Sequence, residues 1–185
     1  MIIIVLIILQ YIFFTAIIGI LGYLAFILIS FRNVVPYVPS PRRIIRQMLE
    51  IAEVKDNERI VDLGSGTGRI IIPAAKKYRN NLIIGIDKSF FLRLITKFRL
   101  LFHPFINKRI QVLNQDFFNA DISSYDVIFC FLTPEALRQL TPKFKLLKQE
   151  SRIISYMFPL EDSQGFREVI QHISAKDSIY YYLKI

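Results

Sequence analysis

Three glycines at alternate positions, Gly64, Gly66 and Gly68, interrupt an apolar stretch that runs from Arg59 to Ile72. Glycine allows the backbone to turn sharply and allows a ligand to approach it closely. A helix that starts after such a turn also offers backbone N–H groups without intrahelical partners. Three glycines exceed what an ordinary strand-to-helix turn needs, so the pattern predicts a ligand-binding turn.

The segments around this turn alternate between strand-like and helix-like patterns. Short apolar runs predict strands over 59–64, 81–88, 109–116, 125–132 and 152–158, and the tail 177–185 is also rich in strand formers. Helices are predicted over 42–54, 68–78, 90–102 and 133–147, with Pro142 ending or kinking the last of them. This order predicts an α/β domain with a Rossmann-like, doubly wound and mostly parallel sheet.

The N-terminal segment differs sharply from the rest, because Ile2 to Ile29 contain no charged side chain. About 20 apolar residues cross a bilayer core, so residues 1–31 are predicted to form one transmembrane anchor. A secretory signal would need a basic start, and a buried core helix is rarely apolar on every side for this length. Arg42, Arg43 and Arg46 follow the span, which favours a single-pass protein with its main domain on the cytoplasmic or an equivalent inner side.

Residues 32–41 hold Pro36, Pro39 and Pro41 and are predicted to form an extended linker before a domain over 42–185. Ser40 and Pro41 also suit the N-cap and first position of the helix that follows.

Acidic residues stand at the ends of the first three predicted strands. Asp62, just before the glycines, suits a ligand with a cationic amine. Asp87, nineteen residues after Gly68, is placed to accept hydrogen bonds from ribose hydroxyls. Asp116 and Phe117 suit an adenine ring, whose amine would donate to the acid. Each acid also has a simpler interpretation as a solvated carboxylate.

Several other sites are disfavoured. Arg69 occupies the position where a dinucleotide-binding G-x-G-x-x-G motif needs glycine, and the G-K-[ST] end of a phosphate-binding loop is missing from the sequence. One cysteine and two histidines argue against a cysteine- or histidine-rich metal site, so we expect no metal. The net charge of +9 is explained by solvated helix faces near anionic lipid, and a nucleic-acid partner is not expected.

"VDLGSGTGRI" with an acidic end on the next strand resembles the first motifs of class I S-adenosylmethionine-dependent methyltransferases. "PYVPSPRRIIRQMLEIAEV", "DVIFCFLTPEALRQL" and "RIISYMFPL" resemble the membrane-anchored protein-lysine methyltransferases that act on the ATP synthase c-ring protein and the adenine nucleotide translocase. The likeness spans roughly Val34 to Leu160. Two departures loosen the inference about the acceptor: Thr67 stands where that group usually has an acid, and Asp87 where it more often has Glu.

The resemblance implies S-adenosyl-L-methionine as cofactor, a bilayer as partner and a lysine of a membrane protein as acceptor. The cofactor-binding candidates are Asp62, Gly64, Ser65, Gly66, Gly68, Asp87, Asp116 and Phe117. In that group the proline segment lies beside the cofactor, so Tyr37, Val38 and Ser40 are interpreted as a lid or as part of a spacer.

No catalytic base is identified from the sequence. Phe131, Thr133, Pro134 and Glu135 follow the fourth strand, where the acceptor should meet the methyl group. Thr133 to Glu135 also fit an ordinary capped helix start. Two alternative functions stay open: methylation of a lipid-soluble small molecule, and a non-catalytic nucleoside-binding membrane scaffold. The oligomeric state is left open.

Overall fold

The computed structural model describes residues 2–31, 38–174 and 177–185. The chain divides into two compact units, residues 1–37 and 38–185. The first unit contains helix α1 (Ile2–Phe31), within which Ile3–Leu24 is long and apolar enough to span a membrane and has none of its residues buried. A secretory signal or the core helix of a soluble protein meets the same criteria of length and composition.

The second unit is built from seven strands and five helices among its described residues. The strands are β1 (Arg59–Leu63), β2 (Leu82–Ile86), β3 (Ile110–Leu113), β4 (Val127–Cys130), β5 (Arg152–Tyr156), β6 (Phe166–His172) and β7 (Ser178–Lys184). The helices are α2 (Arg42–Ile51), α3 (Ile71–Lys77), α4 (Phe90–Leu101), α5 (Pro104–Asn107) and α6 (Pro134–Lys145).

The seven strands form one sheet in the order β3-β2-β1-β4-β5-β7-β6. Strands β1 to β5 are mutually parallel where they pair, whereas β7 runs antiparallel to both β5 and β6. From β1 the chain steps to β2 and β3 in one direction, and from β4 it steps to β5 in the other. The predicted doubly wound, mostly parallel sheet is confirmed, and the reversal between β1 and β4 marks where ligands bind in such sheets.

Helices cover both faces of the sheet because alternate residues of each strand point to opposite sides. Ile60 and Ile83 belong to one buried cluster that also contains residues of α2, α3 and α5. The neighbouring positions Val61 and Ile84 are equally buried and face the other side. Right-handed crossovers place α6 on that second side, because β4 and β5 step in the opposite direction to β1 and β2.

Three local predictions were wrong. Strand β6 was not predicted, because all of it after Phe166 is exposed and it carries no apolar run. Pro142 does not end α6, which continues to Lys145; Pro142 and Arg138, whose carbonyl loses its usual N–H donor, are both exposed. Pro41 rather than Ser40 occupies the N-cap position of α2, and no side chain caps that helix among the described residues.

Candidate functional site

The glycine loop, residues 64–68, leaves the carboxyl end of β1 and turns in a conformation that favours glycine. Gly64, Gly66 and Gly68 have positive φ angles of 77°, 54° and 75°. The N–H groups of Gly64 and Ser65 both donate to the carbonyl of Ile86, at 2.9 and 3.1 Å. The loop is therefore held against the end of β2.

Two of these glycines also lie where a side chain would collide. A Cβ on Gly64 would lie 3.3 Å from Cδ2 of Leu132 and 3.9 Å from Cε1 of Phe117. A Cβ on Gly68 would lie 2.8 Å from Cγ2 of Thr96. The loop thus lies against residues that follow β3 and β4 and against helix α4, which brings the strand ends into one cleft edge.

Asp87 follows β2 and organises the loop. One carboxylate oxygen accepts the N–H of Gly66 and the other accepts the N–H of Ser89, each at 2.8 Å. Burial raises the pKa of Asp87, and the two N–H donors partly offset that rise. A carboxylate has about four acceptor sites, so Asp87 retains capacity for ribose hydroxyls. It is more than the cleft-facing acid expected from sequence, because it ties the loop to the start of α4.

Asp62 lies in β1, pairs in register with Gly85 and Phe129, and is only 3% exposed. No hydrogen-bond donor to its side chain is found among residues 38–174 and 177–185. Burial raises the pKa of Asp62 from 3.8 to about 8, and the nearby Asp87 carboxylate contributes to that rise. A buried acid without a cationic partner is a site that gains most from a ligand carrying an amine.

Asp116 and Phe117 lie after β3, at the same edge. Asp116 is half-buried, and one of its carboxylate oxygens accepts the N–H of Phe118 at 3.0 Å. Phe117 is buried and packs against the ring of Phe118, with the ring centroids 4.6 Å apart. The amide of Asn114 donates to the carbonyl of Lys88 at 2.9 Å, which joins the ends of β2 and β3.

Ser65 lies in the loop, but its side chain points into the protein. Its hydroxyl is buried and has no hydrogen-bond partner among the described residues. A Cβ on Gly85 would lie 2.7 Å from this hydroxyl oxygen, so the Ser65 side chain occupies the space that Gly85 leaves free. Any contribution of Ser65 to a ligand therefore comes from its backbone.

Helix α4 holds the loop from the side, a contribution that the sequence analysis missed. The hydroxyl of Thr96 donates to the carbonyl of Gly66 at 2.9 Å, and the guanidinium of Arg99 donates to the carbonyl of Thr67. The available signal was a polar residue in a buried stripe, since Leu92, Thr96 and Leu100 are spaced four apart and all are buried.

The segment before α2 also reaches the loop. Nε of Arg69 donates to the carbonyl of Ser40 at 3.0 Å, and Ser40 is buried. Val38 is exposed. Tyr37 and the other linker residues 32–36 lie outside the described residues. The contact of Ser40 with Arg69 is consistent with a segment that borders the cofactor site.

The residues after β4 form the other half of the edge. Phe131 is half-buried and packs on Tyr156, with the ring centroids 4.7 Å apart. Thr133 caps α6 by accepting the N–H of Ala136 at 3.3 Å. Pro134 and Glu135 are exposed, and Glu135 binds Arg138 and Gln139 within its own helix. The predicted capped helix start is confirmed.

Comparisons with known proteins agree with this arrangement. A family model, the ANTKMT methyltransferase domain, matches residues 62–166. A protein-lysine N-methyltransferase of Saccharolobus islandicus is 35% identical over 127 residues, which are 68% of this chain and 78% of that protein. A lysine N-methyltransferase of Caenorhabditis elegans, named for the C-type subunit of ATP synthase, is 22% identical over 157 residues, covering 82% of this chain and 81% of the relative.

A solved structure shows the same fold with a cofactor product bound. It is an RNA methyltransferase from Salinibacter ruber in complex with S-adenosyl-L-homocysteine, with a TM-score of 0.71 and 28% identity. The match covers 80% of this chain and 94% of that one.

The residues of the cleft edge fit S-adenosylmethionine on structural grounds of their own. Asp62 is a buried carboxyl that lacks a cation among the described residues. Gly64 has φ 77°, and any side chain there would press on Leu132 at the same edge. Loop, acids and fold together agree with the family match. The chain belongs to the ANTKMT methyltransferase domain family and is a class I S-adenosylmethionine-dependent protein-lysine methyltransferase.

Proposed function

We propose that this chain methylates a lysine of a protein embedded in or bound to a membrane, while its own N-terminal helix anchors it there. The observation that carries this proposal is the pairing of one cofactor edge with Ile3–Leu24, an apolar helix with none of its residues buried. The names of the Saccharolobus and Caenorhabditis relatives supply the acceptor class, a protein lysine.

The cofactor is held by the three acids at the strand ends. Asp62 holds the amine of the methionine part, because its carboxyl is buried without a cation among the described residues. Asp87 accepts from the ribose hydroxyls through its remaining acceptor sites, and Asp116 and Phe117 border the adenine. When bound, S-adenosylmethionine supplies a methyl group on a cationic sulfur, a good leaving group that needs alignment more than activation.

The acceptor lysine must arrive as a neutral amine, and its ordinary pKa is about 10.4. Phe131 and Tyr156 offer an apolar wall on the acceptor side, and a desolvated lysine loses its proton more readily. The hydroxyl of Tyr156 donates to Asp177, and burial with this contact raises the pKa of Tyr156 to about 12. Tyr156 therefore stays protonated near neutral pH and is not the base.

Glu135 is also a poor base. The hydrogen bond from Gln139 and the contacts with Arg138 lower the pKa of Glu135, and its side chain is exposed to water. We propose that Phe131, Thr133 and Pro134 position the lysine, and that the apolar surroundings, not a dedicated base, favour its neutral form.

The side of the membrane follows from charge. Arg42, Arg43 and Arg46 come after the apolar segment, whereas its N-terminal side carries no lysine or arginine. The positive-inside tendency places the catalytic domain, proposed as residues 42–185, on the cytoplasmic or an equivalent inner side.

The test uses the full chain and membranes from cells that lack it. We expect labelled methyl groups to appear on a lysine of a membrane protein, identified by peptide mass spectrometry. The Asp87→Ala variant should transfer none, whereas Asp121→Ala should act like wild type, because Asp121 is an exposed acid in a similar local turn.

Each other destination of the label would overturn the proposed acceptor. Label in extracted lipid alone would assign a lipid-soluble acceptor, and label in RNA alone would assign the acceptor named for the Salinibacter structure. No label in any fraction would favour a non-catalytic role.

A further inference from the structure

Helices α4 and α5 present an apolar surface to solvent, here named the α4–α5 face. It consists of Phe90, Phe91, Leu94, Ile95, Phe98, Leu101, Phe102 and Phe105, all of them exposed. Phe105 is 93% exposed. The opposite side of α4 is also apolar, since Leu92 and Leu100 are buried. An ordinary surface helix buries one apolar stripe and turns a polar face to water, so α4 departs from that pattern.

The chain around this face carries charge of one sign. From Lys88 to Gln115 there are six lysines and arginines and no acidic residue. Lys88, Lys97 and Lys108 are exposed. Surfaces that only face water normally mix both signs. A large apolar patch bordered by cations is expected instead where a partner is apolar in its interior and anionic at its surface.

The side chains are arranged for an interface rather than a core. The rings of Phe98 and Phe102 meet edge to face with centroids 5.3 Å apart, and the guanidinium of Arg93 lies 5.2 Å from the ring centroid of Phe90. Aromatic rings next to cationic groups are enriched where proteins meet the boundary between lipid headgroups and acyl chains.

We propose that the α4–α5 face lies in the surface of a bilayer that contains anionic lipid. The phenylalanines enter the acyl boundary, and Lys97 and Lys108 bind headgroup phosphates. A second copy of this chain fits less well, because it would bring two cationic borders together. This inference concerns where the domain rests and is independent of which acceptor is methylated.

A matched pair of single cysteine variants tests the proposal in the full chain. Leu101, in α4, is 69% exposed, and Leu146, at the end of α6, is 73% exposed. The two helices cover opposite faces of the sheet, and the native Cys130 is buried. Leu101→Cys and Leu146→Cys would each carry a polarity-sensitive fluorophore in vesicles of phosphatidylcholine and phosphatidylglycerol with nitroxide-labelled acyl chains.

We expect the label at 101 to be quenched several-fold more than the label at 146. Both variants share the N-terminal helix, so anchoring alone cannot create the difference. Equal quenching at the two positions would overturn the proposal. Labelled wild type measures any reaction at Cys130, and circular dichroism confirms that each variant is folded.

A charge arm identifies the lipid chemistry. Adding Lys97→Glu and Lys108→Glu to Leu101→Cys should reduce quenching in the anionic vesicles and have a smaller effect in phosphatidylcholine alone. An equal effect in both vesicles would contradict the headgroup contact. If pure lipid leaves the label unquenched and only a membrane-protein extract shields it, the face binds protein and the proposal fails. These measurements use no methyl donor, so they stand whether or not lysine methylation is found.

Discussion

The carboxylate of Asp87 lies 2.8 Å from the backbone nitrogen of Gly66. Because its other oxygen accepts from Ser89, this acid joins the glycine loop to the first turn of α4. A residue expected only to bind ribose therefore also shapes the loop that would receive the rest of the cofactor.

Replacing Asp87 with alanine should weaken binding of S-adenosylhomocysteine by roughly ten- to several-hundred-fold, because charge-assisted hydrogen bonds are lost. Asp87→Asn should be milder, since the amide oxygen still accepts one N–H. Calorimetric titration measures the affinity, and circular dichroism shows whether the fold survives. Asp121→Ala is the matched control, because Asp121 also accepts an N–H from the residue two positions on, Ser123, at 2.9 Å. Affinity of Asp87→Ala equal to that of wild type would remove this acid from the site.

Cofactor affinity should rise with pH because of Asp62. Its pKa is about 8 in the free protein, so the carboxyl is mostly protonated at pH 7 and must lose its proton to pair with an amine. Between about pH 5.5 and 7.5 the amine stays protonated, and affinity for S-adenosylhomocysteine should rise by up to roughly tenfold per pH unit. Asp62→Asn should bind more weakly and flatten this dependence. A wild-type affinity that is constant over the range would contradict the assignment.

The same acid should affect stability with the opposite sign. In the unfolded chain Asp62 ionises near 3.8, whereas the folded chain keeps the proton up to about 8. The folded state therefore binds more protons in this window, and its stability is lost as pH rises from 3.8 to about 8. Urea unfolding should show Asp62→Asn gaining on wild type as pH increases. A difference between the two proteins that is the same at both ends of the window would refute the raised pKa.

Ser65 and Gly85 should behave as a coupled pair. Gly85→Ala places a methyl group 2.7 Å from the Ser65 hydroxyl oxygen, and such overpacking costs about 1–3 kcal/mol. Ser65→Gly together with Gly85→Ala should recover part of that loss, since it removes the colliding side chain. Thermal unfolding of both singles and the double variant measures the coupling. Strict additivity would show that the two side chains do not compete for this space.

Thr96→Val should loosen the glycine loop without changing the shape of α4 much. The carbonyl of Gly66 would lose its donor at 2.9 Å, and we expect roughly a tenfold loss of S-adenosylhomocysteine affinity. Thr141→Val is the control, because Thr141 donates to the carbonyl four residues earlier at 3.1 Å, as Thr96 does, but lies in α6. If both variants lose affinity equally, the loop contact is not the cause.

Sequence patterns predicted most of the sheet because its central strands are buried on both sides. Strands β1, β2, β4 and β5 are apolar runs bounded by polar residues, so their positions are visible without tertiary context. Strand β6 lacks such a run, and its place is set by pairing with β7 rather than by its own composition. Its existence was therefore not predictable from periodicity.

The acids of the site were predictable because parallel strands end at one edge. What could not be predicted were contacts between segments far apart in the chain. Thr96 lies thirty residues from the carbonyl it binds, and Arg69 reaches Ser40 across twenty-nine residues. The inward direction of the Ser65 side chain depends on the absence of a Cβ at Gly85, a relation that neither residue reveals alone.

Helix α4 contacts two carbonyls of the glycine loop through Thr96 and Arg99 and turns its phenylalanines outward. A helix shared in this way makes binding on its outer surface and binding at the loop thermodynamically reciprocal. If a partner on the outside favours the α4 position that holds the loop, it raises cofactor affinity by some factor, and the cofactor raises affinity for that partner by the same factor. A single rigid element would then let the protein sense occupancy of one surface at the other.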